Sequence, residues 1–110
     1  MKLTKKLLGH CGVDSGQILL TDPCYIESEW KKQGKKKLDF ENKKSKGKFS
    51  YEGCCIETLK KETKGGQLNY KLGHAGAGVV CSSGYGDGTY PVYAYYNEEG
   101  RIMKVEIKFN

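Results

Sequence analysis

The chain has no apolar run approaching the roughly 18 residues of a membrane-spanning helix, and only 37% of its residues are hydrophobic. No membrane partner is expected. Lys-Leu-Leu near the start is too short for the apolar stretch of a signal peptide and has no small-residue cleavage site after it, so the expected location is the cytoplasm. No two cysteines are spaced C-x-x-C, which leaves a structural zinc site without support. The five cysteines are odd in number, and Cys54 adjoins Cys55. Secreted disulfide frameworks carry even sets at open spacings, so these read as reduced thiols. Phosphate and cation signatures are missing as well. Gly84-Tyr-Gly-Asp-Gly88 has Thr89 where a dinucleotide fingerprint needs its last glycine. No Gly-Lys-Ser/Thr follows, as a Walker loop would require. Asp14, Asp22 and Asp87 fail the EF-hand spacing. No metal and no other cofactor is expected.

A chain of 110 residues is the length of one domain, residues 1–110. Its formal charge of +6 is unevenly placed: nine lysines and two acids, Asp39 and Glu41, fall between Lys31 and Lys48. The remainder is close to neutral, which argues against general nucleic-acid binding. Residues 34–48 read as a lysine-rich, solvated loop. The alternative is an arm that draws in anions.

Residues 17–21 read as a short buried strand. One short helix is expected near residues 23–33, with Asp22 as N-cap, Pro23 at the first position and Gly34 past the end. Ile26 and Trp30 would share its buried face. Residues 49–59 are ambiguous between strand and helix. Gly65-Gly66 reads as a turn, and residues 67–72 as a strand with Leu68, Tyr70 and Leu72 on one face. Val79-Val80-Cys81 is a strand set in a glycine-rich stretch. Residues 90–96 and 101–109 flank the hairpin loop Asn97-Glu-Glu-Gly100, with Met103, Val105, Ile107 and Phe109 alternating onto one buried face. The expected fold is mainly β, a β-rich α+β: a compact antiparallel sandwich or open barrel with one short helix.

Two segments carry the candidate chemistry. In residues 82–90, the backbone amides of Gly84, Tyr85, Gly86, Asp87 and Gly88 and the hydroxyls of Ser82 and Ser83 suit a phosphate. A tight turn leading into the Tyr90 strand is the plain alternative. In residues 14–25, Asp14 and Ser15 sit in a turn context, and Asp22 is explained by a helix start. Tyr25, Trp30, Tyr85 and Tyr90 offer flat rings for stacking on a base. Both histidines lie in Leu-Gly-His-x-Gly, at residues 8–12 and 72–76. If that echo is a true repeat, His10 and His74 would occupy equivalent strand ends. Paired-histidine phosphoesterases place a hydroxyl residue two positions after each histidine, where this chain has Gly12 and Gly76. A Cys–His nucleophilic site using Cys24 or Cys81 has no local signature.

The stretches Val-Asp-Ser-Gly-Gln-Ile-Leu-Leu-Thr-Asp-Pro-Cys-Tyr-Ile, Gly-Gln-Leu-Asn-Tyr-Lys-Leu-Gly-His-Ala-Gly-Ala-Gly-Val-Val and Ser-Gly-Tyr-Gly-Asp-Gly-Thr-Tyr-Pro-Val-Tyr resemble small phage and bacterial proteins of unassigned function. The resemblance covers most of the chain outside the lysine loop. More distantly, the chain is similar to a bacterial domain-of-unknown-function family with a Gly…Asp-Pro start and Gly-x-Tyr-Pro-Val near the end. By analogy of type, the phage context implies a compact, non-catalytic sponge that sequesters a nucleotide-derived immune signal. The expected ligand-binding residues are then Asp14, Ser15, Tyr25, Trp30, His74, Ser82, Ser83, Gly84, Tyr85, Gly86, Asp87, Gly88 and Tyr90. The expected partners are a small nucleotide-like ligand and further copies of the chain in a homo-oligomer, in the bacterial host cytoplasm. One alternative is a small phosphoester hydrolase using His74 with Asp22 or Asp87. Another is an inhibitor that binds a host protein through the tyrosine-rich face and the basic loop.

Overall fold

The computed structural model describes residues 2–110. Six strands run in the order β1 (Thr4–Val13), β2 (Gln17–Thr21), β3 (Gly65–Asn69), β4 (Ala75–Ser82), β5 (Gly88–Tyr96) and β6 (Ile102–Ile107). Helix α1 (Tyr25–Ser28), a 3-10 turn at Lys43–Ser45 and helix α2 (Tyr51–Thr58) lie between β2 and β3. The fold is mainly β, as expected, in two three-stranded antiparallel sheets. Among the described residues neither sheet closes into a barrel. The chain forms two compact units, one from the residues up to Gly16 and from Ser83 onward, the other from Gln17–Ser82.

The first unit holds the sheet β1-β5-β6. The β5–β6 hairpin closes where the sequence places it. Asn97 Oδ1 accepts from the amides of Glu99 and Arg101, and Gly100 takes φ +80°, a left-handed conformation that glycine adopts without strain. Ala94, at the sheet centre, is fully buried. Its cross-strand neighbour Val105 is 52% exposed and Met103 51%, so the expected buried face of β6 is only partly covered. β6 is an edge strand, and its side chains lie at the margin of that face. On the opposite face the Lys5 ammonium sits 4.3 Å from the Tyr93 ring centroid, and that of Lys104 sits 4.1 Å from Tyr95. Lys5 also pairs with Glu106 at 3.4 Å, and Tyr95 donates its hydroxyl to the same carboxylate. Tyr96 instead meets Lys6, as strand alternation requires of the Tyr95-Tyr96 pair.

The second unit holds the sheet β2-β4-β3, with β4 central. Its core is Phe49, Cys54, Leu68, Ala77 and Val80, flanked by Leu19, Tyr25, Trp30 and Tyr70. Burial pushes the Cys54 thiol up to about 12, which keeps it protonated and unreactive. Gly65-Gly66 opens β3 rather than making a turn. A Cβ on Gly65 would stand 2.4 Å from the Val80 carbonyl oxygen, so only glycine lets the strands approach this closely. β3 ends at Asn69, short of the expected Leu72, because the chain turns. The Gly73 amide donates to the Tyr70 carbonyl, the Tyr70 amide to the His74 carbonyl, and Leu72 is left 94% exposed.

The ambiguous stretch after Phe49 is helical. Ser50 caps α2 by accepting from the Gly53 amide at 3.0 Å, which satisfies one of the orphan donors of a helix start. The expected helix near residues 23–33 is a single turn, Tyr25–Ser28. Asp22 precedes it in an Asx turn, its Oδ1 accepting from the Cys24 amide at 3.1 Å. The helix stops early because Lys31 is drawn into a parallel bridge with Ser50, its amide donating to the Phe49 carbonyl at 2.9 Å. That bridge brings Trp30 edge-on to Phe49, with centroids 5.0 Å apart.

Candidate functional site

The glycine-rich turn of the first unit is closed by its own hydroxyls. Ser83, fully buried, donates to the Gly86 carbonyl at 2.6 Å, and Tyr90 donates to the same oxygen at 2.7 Å. Gly84 and Gly86 take φ of +75° and +93°. The Ser83 amide donates to the Gly16 carbonyl, and the Gly16 backbone lies beside Gly86. The bend carrying Asp14 and Ser15 and the 83–86 turn are therefore neighbours. Asp14, Ser15, Tyr85, Asp87 and Gly88 are exposed at this end of the unit, while the Tyr90 ring packs edge-on to Phe109.

The other expected residues, Tyr25, Trp30, His74 and Ser82, belong to the second unit. The His74 ring stacks on Tyr70, with centroids 4.4 Å apart, and the hydroxyls of Tyr70 and Tyr25 are hydrogen-bonded at 3.0 Å. This bond pushes the Tyr25 phenol up to about 12. The hydrogen bond from the Cys24 amide holds the Asp22 carboxyl below its ordinary range. The two Leu-Gly-His-x-Gly stretches are not equivalent: His10 lies within β1 opposite Pro91, and His74 lies in the turn ahead of β4. Among the described residues no group of three His, Cys, Asp or Glu side chains converges to hold a metal ion.

The lysine-rich segment is folded around one buried carboxylate. Glu52, on α2 and 7% exposed, accepts from the Asp39 amide at 2.9 Å, from Asn42 Nδ2 at 3.1 Å and from Ser45 Oγ at 2.5 Å. Asn42 in turn caps the 3-10 turn by accepting from the Lys44 amide. The segment is tied at its far end, where the Asn69 amide donates to the Gly47 carbonyl at 2.7 Å. The hydrogen bonds from Ser45 and from the Asp39 amide hold the Glu52 carboxyl below its ordinary range.

That scaffold shapes a pocket of about 490 Å³ whose lining includes Lys31, Lys32, Lys36, Lys44, Lys48 and Glu52. The ion pairs among the described residues are Lys5–Glu106, Lys60–Glu57 and Arg101–Glu99. None neutralises a pocket lysine. Five ammonium groups against one carboxylate, Glu52, around one hollow raise its potential and favour an anion there. A second hollow of about 340 Å³ adjoins it, bounded by Trp30, Phe49 and Tyr70. Lys31 and Lys48 line both.

Sequence reasoning selected Trp30 for stacking but read the lysine segment as an open loop. The missed signal is Trp30 and Phe49 bracketing the basic run, followed by Ser50-x-Glu52. The bracket closes the run at its base, and the acid gives it a centre.

The hydrogen-bonded Glu52 carboxyl sets an expectation for acid. A carboxyl whose folded-state pKa lies below its unfolded value contributes stability that is present above the unfolded pKa, about 4.3 for Glu. That contribution is lost as pH falls through the folded value. Acidification should therefore release the lysine segment, seen as a lower hydrogen-exchange protection factor at the Asp39 amide. Glu52→Gln should show that lower protection already at pH 7, because an amide cannot accept on both sides. Equal protection of the Asp39 amide in both proteins would refute the anchoring role.

No curated protein and no solved structure matches the chain. The family model described as "Protein of unknown function (DUF4241)" matches residues 7–107. The match spans both compact units and nearly the whole sequence, and the chain belongs to that family.

Proposed function

We propose that the protein binds a nucleotide-like anionic small molecule and holds it intact. The supporting observation is the pair Lys31 and Lys48, common to the five-lysine pocket and to the aromatic hollow. A ligand with clustered negative charge on one end and a flat ring on the other matches both. Its phosphates lie among the lysines, and its ring packs against Trp30 and Tyr70, where base–aromatic stacking contributes about 1–3 kcal/mol. The 83–90 turn is less suited to phosphate, since its Ser83 and Tyr90 hydroxyls are used within the turn.

In this reading the protein is a phage-type sponge acting against host defence. It works as a homo-oligomer in the bacterial cytoplasm and lowers the free concentration of an immune signal. Calorimetric titration with ATP, cyclic dinucleotides and cyclic ADP-ribose isomers tests it, together with mass spectrometry of small molecules released on denaturation. Binding with intact recovery is expected. The absence of binding by every compound overturns the reading. Recovery of cleaved product favours the phosphoester hydrolase instead, with His74 and Asp22 or Asp87 as its candidate groups.

A further inference from the structure

The aromatic hollow contains a group that an anion site does not call for. Glu29 lines it alongside Lys31, Lys48 and Lys71. A carboxylate there opposes the attraction of the lysines for a negative ligand. Glu29 is half-buried, and one of its oxygens, Oε1, accepts from the Lys71 amide at 2.9 Å. That bond fixes the side chain. Among the described residues the second oxygen has no hydrogen-bond partner. A carboxylate is an acceptor with no donor capacity, and Glu29 lines the slot together with Trp30, Phe49 and Tyr70.

Resting on the nucleotide reading above, we propose that Glu29 makes the slot selective for rings that carry an exocyclic amino group. An amino group donates to the unused oxygen. The corresponding oxo ring presents an acceptor there and carries its proton on the adjacent ring nitrogen, so a carboxylate fixed by the Lys71 amide opposite the exocyclic position meets an acceptor unless the ring shifts to bring that N–H to it. The preference follows from leaving a charged acceptor unmatched on removal from water, which costs more than the bond gains when made. The competing explanation is that Glu29 only fastens the turn at Lys71.

A conservative exchange separates the two. In Glu29→Gln the carbonyl oxygen still accepts from the Lys71 amide, so the turn is kept. The atom left facing the slot is then an NH2 donor. Calorimetric titration compares two pairs that differ by amino against oxo: ATP with ITP, and CTP with UTP. In the native protein the amino compound of each pair should bind about tenfold or more tightly. In Glu29→Gln the order should reverse. Equal affinities within each pair, or a tighter oxo compound in the native protein, overturn the proposal while nucleotide binding stands. An order unchanged in Glu29→Gln also overturns it. If none of the four binds while a cyclic dinucleotide or a cyclic ADP-ribose isomer does, this proposal fails and the nucleotide reading stands; if no compound of either panel binds, both fail.

Discussion

Reversing Lys31 and Lys48 to glutamate together should weaken anionic-ligand binding by more than about 100-fold, since charge-assisted contacts contribute about 1.5–3 kcal/mol each. The change turns a pocket of five ammonium groups and one carboxylate into one of three and three. Both side chains are exposed, and the bridges at these positions are made by backbone atoms. Stability should therefore move by no more than about 0.5 kcal/mol, as for other surface substitutions. Raising the ionic strength should weaken binding to the native protein and have little effect on the residual binding of the variant, because screening acts on the charges that were removed. Tyr85→Ala is the matching change in the glycine-rich turn, where the ring is 83% exposed. Calorimetry on both variants decides between the two seats. A lysine reversal without effect, beside a large loss in Tyr85→Ala, would place the anion at residues 83–90.

The contrast between these two seats shows what the sequence makes legible. Strand β2 and the β5–β6 hairpin were readable because their determinants are local: a short apolar run bounded by turn residues for the strand, and Asn97 and Gly100 for the hairpin, act within a few residues of where they stand. The 83–90 turn was equally visible as a cluster of glycine, hydroxyl and aromatic residues. Its Ser83 and Tyr90 hydroxyls, however, satisfy a backbone carbonyl instead of projecting outward. The lysine pocket has the opposite character. Its lysines look like an open, self-repelling run until Glu52 is buried among Asp39, Asn42 and Ser45. Burying an acid is rare without partners, and its partners lie 7 to 13 residues away. No short-range pattern announces such a contact. Glycine was ambiguous for the same reason. Gly65 reads as a turn residue by composition, yet its role is to let the Val80 carbonyl approach.

Gly53 is where these long-range constraints are most severe, and Gly53→Ala should destabilise the protein even though it lies inside a helix. By local propensity alone the change should help, since alanine exceeds glycine in a helix interior by about 0.8–1.0 kcal/mol. The packing opposes it. A Cβ at Gly53 would stand 2.0 Å from the Lys48 carbonyl oxygen, 2.9 Å from its carbon and 3.1 Å from the Ser45 carbonyl oxygen. All three are backbone atoms, so no rotamer change relieves the overlap. Overpacking of this kind costs about 1–3 kcal/mol, and more where the surroundings are rigid. The overlap is extreme, so its cost should exceed the propensity gain by about 1–2 kcal/mol. Thermal unfolding should fall by about 4–8 °C for each kcal/mol in a domain of this size. The same displacement moves Ser45 and Lys48, which line the five-lysine pocket, so affinity should drop in the fraction that remains folded. Melting and calorimetric titration on one preparation test both effects. A variant that melts higher than the native protein would show that the α2 surface does not press on the lysine segment, and the account of how that segment is held would fail.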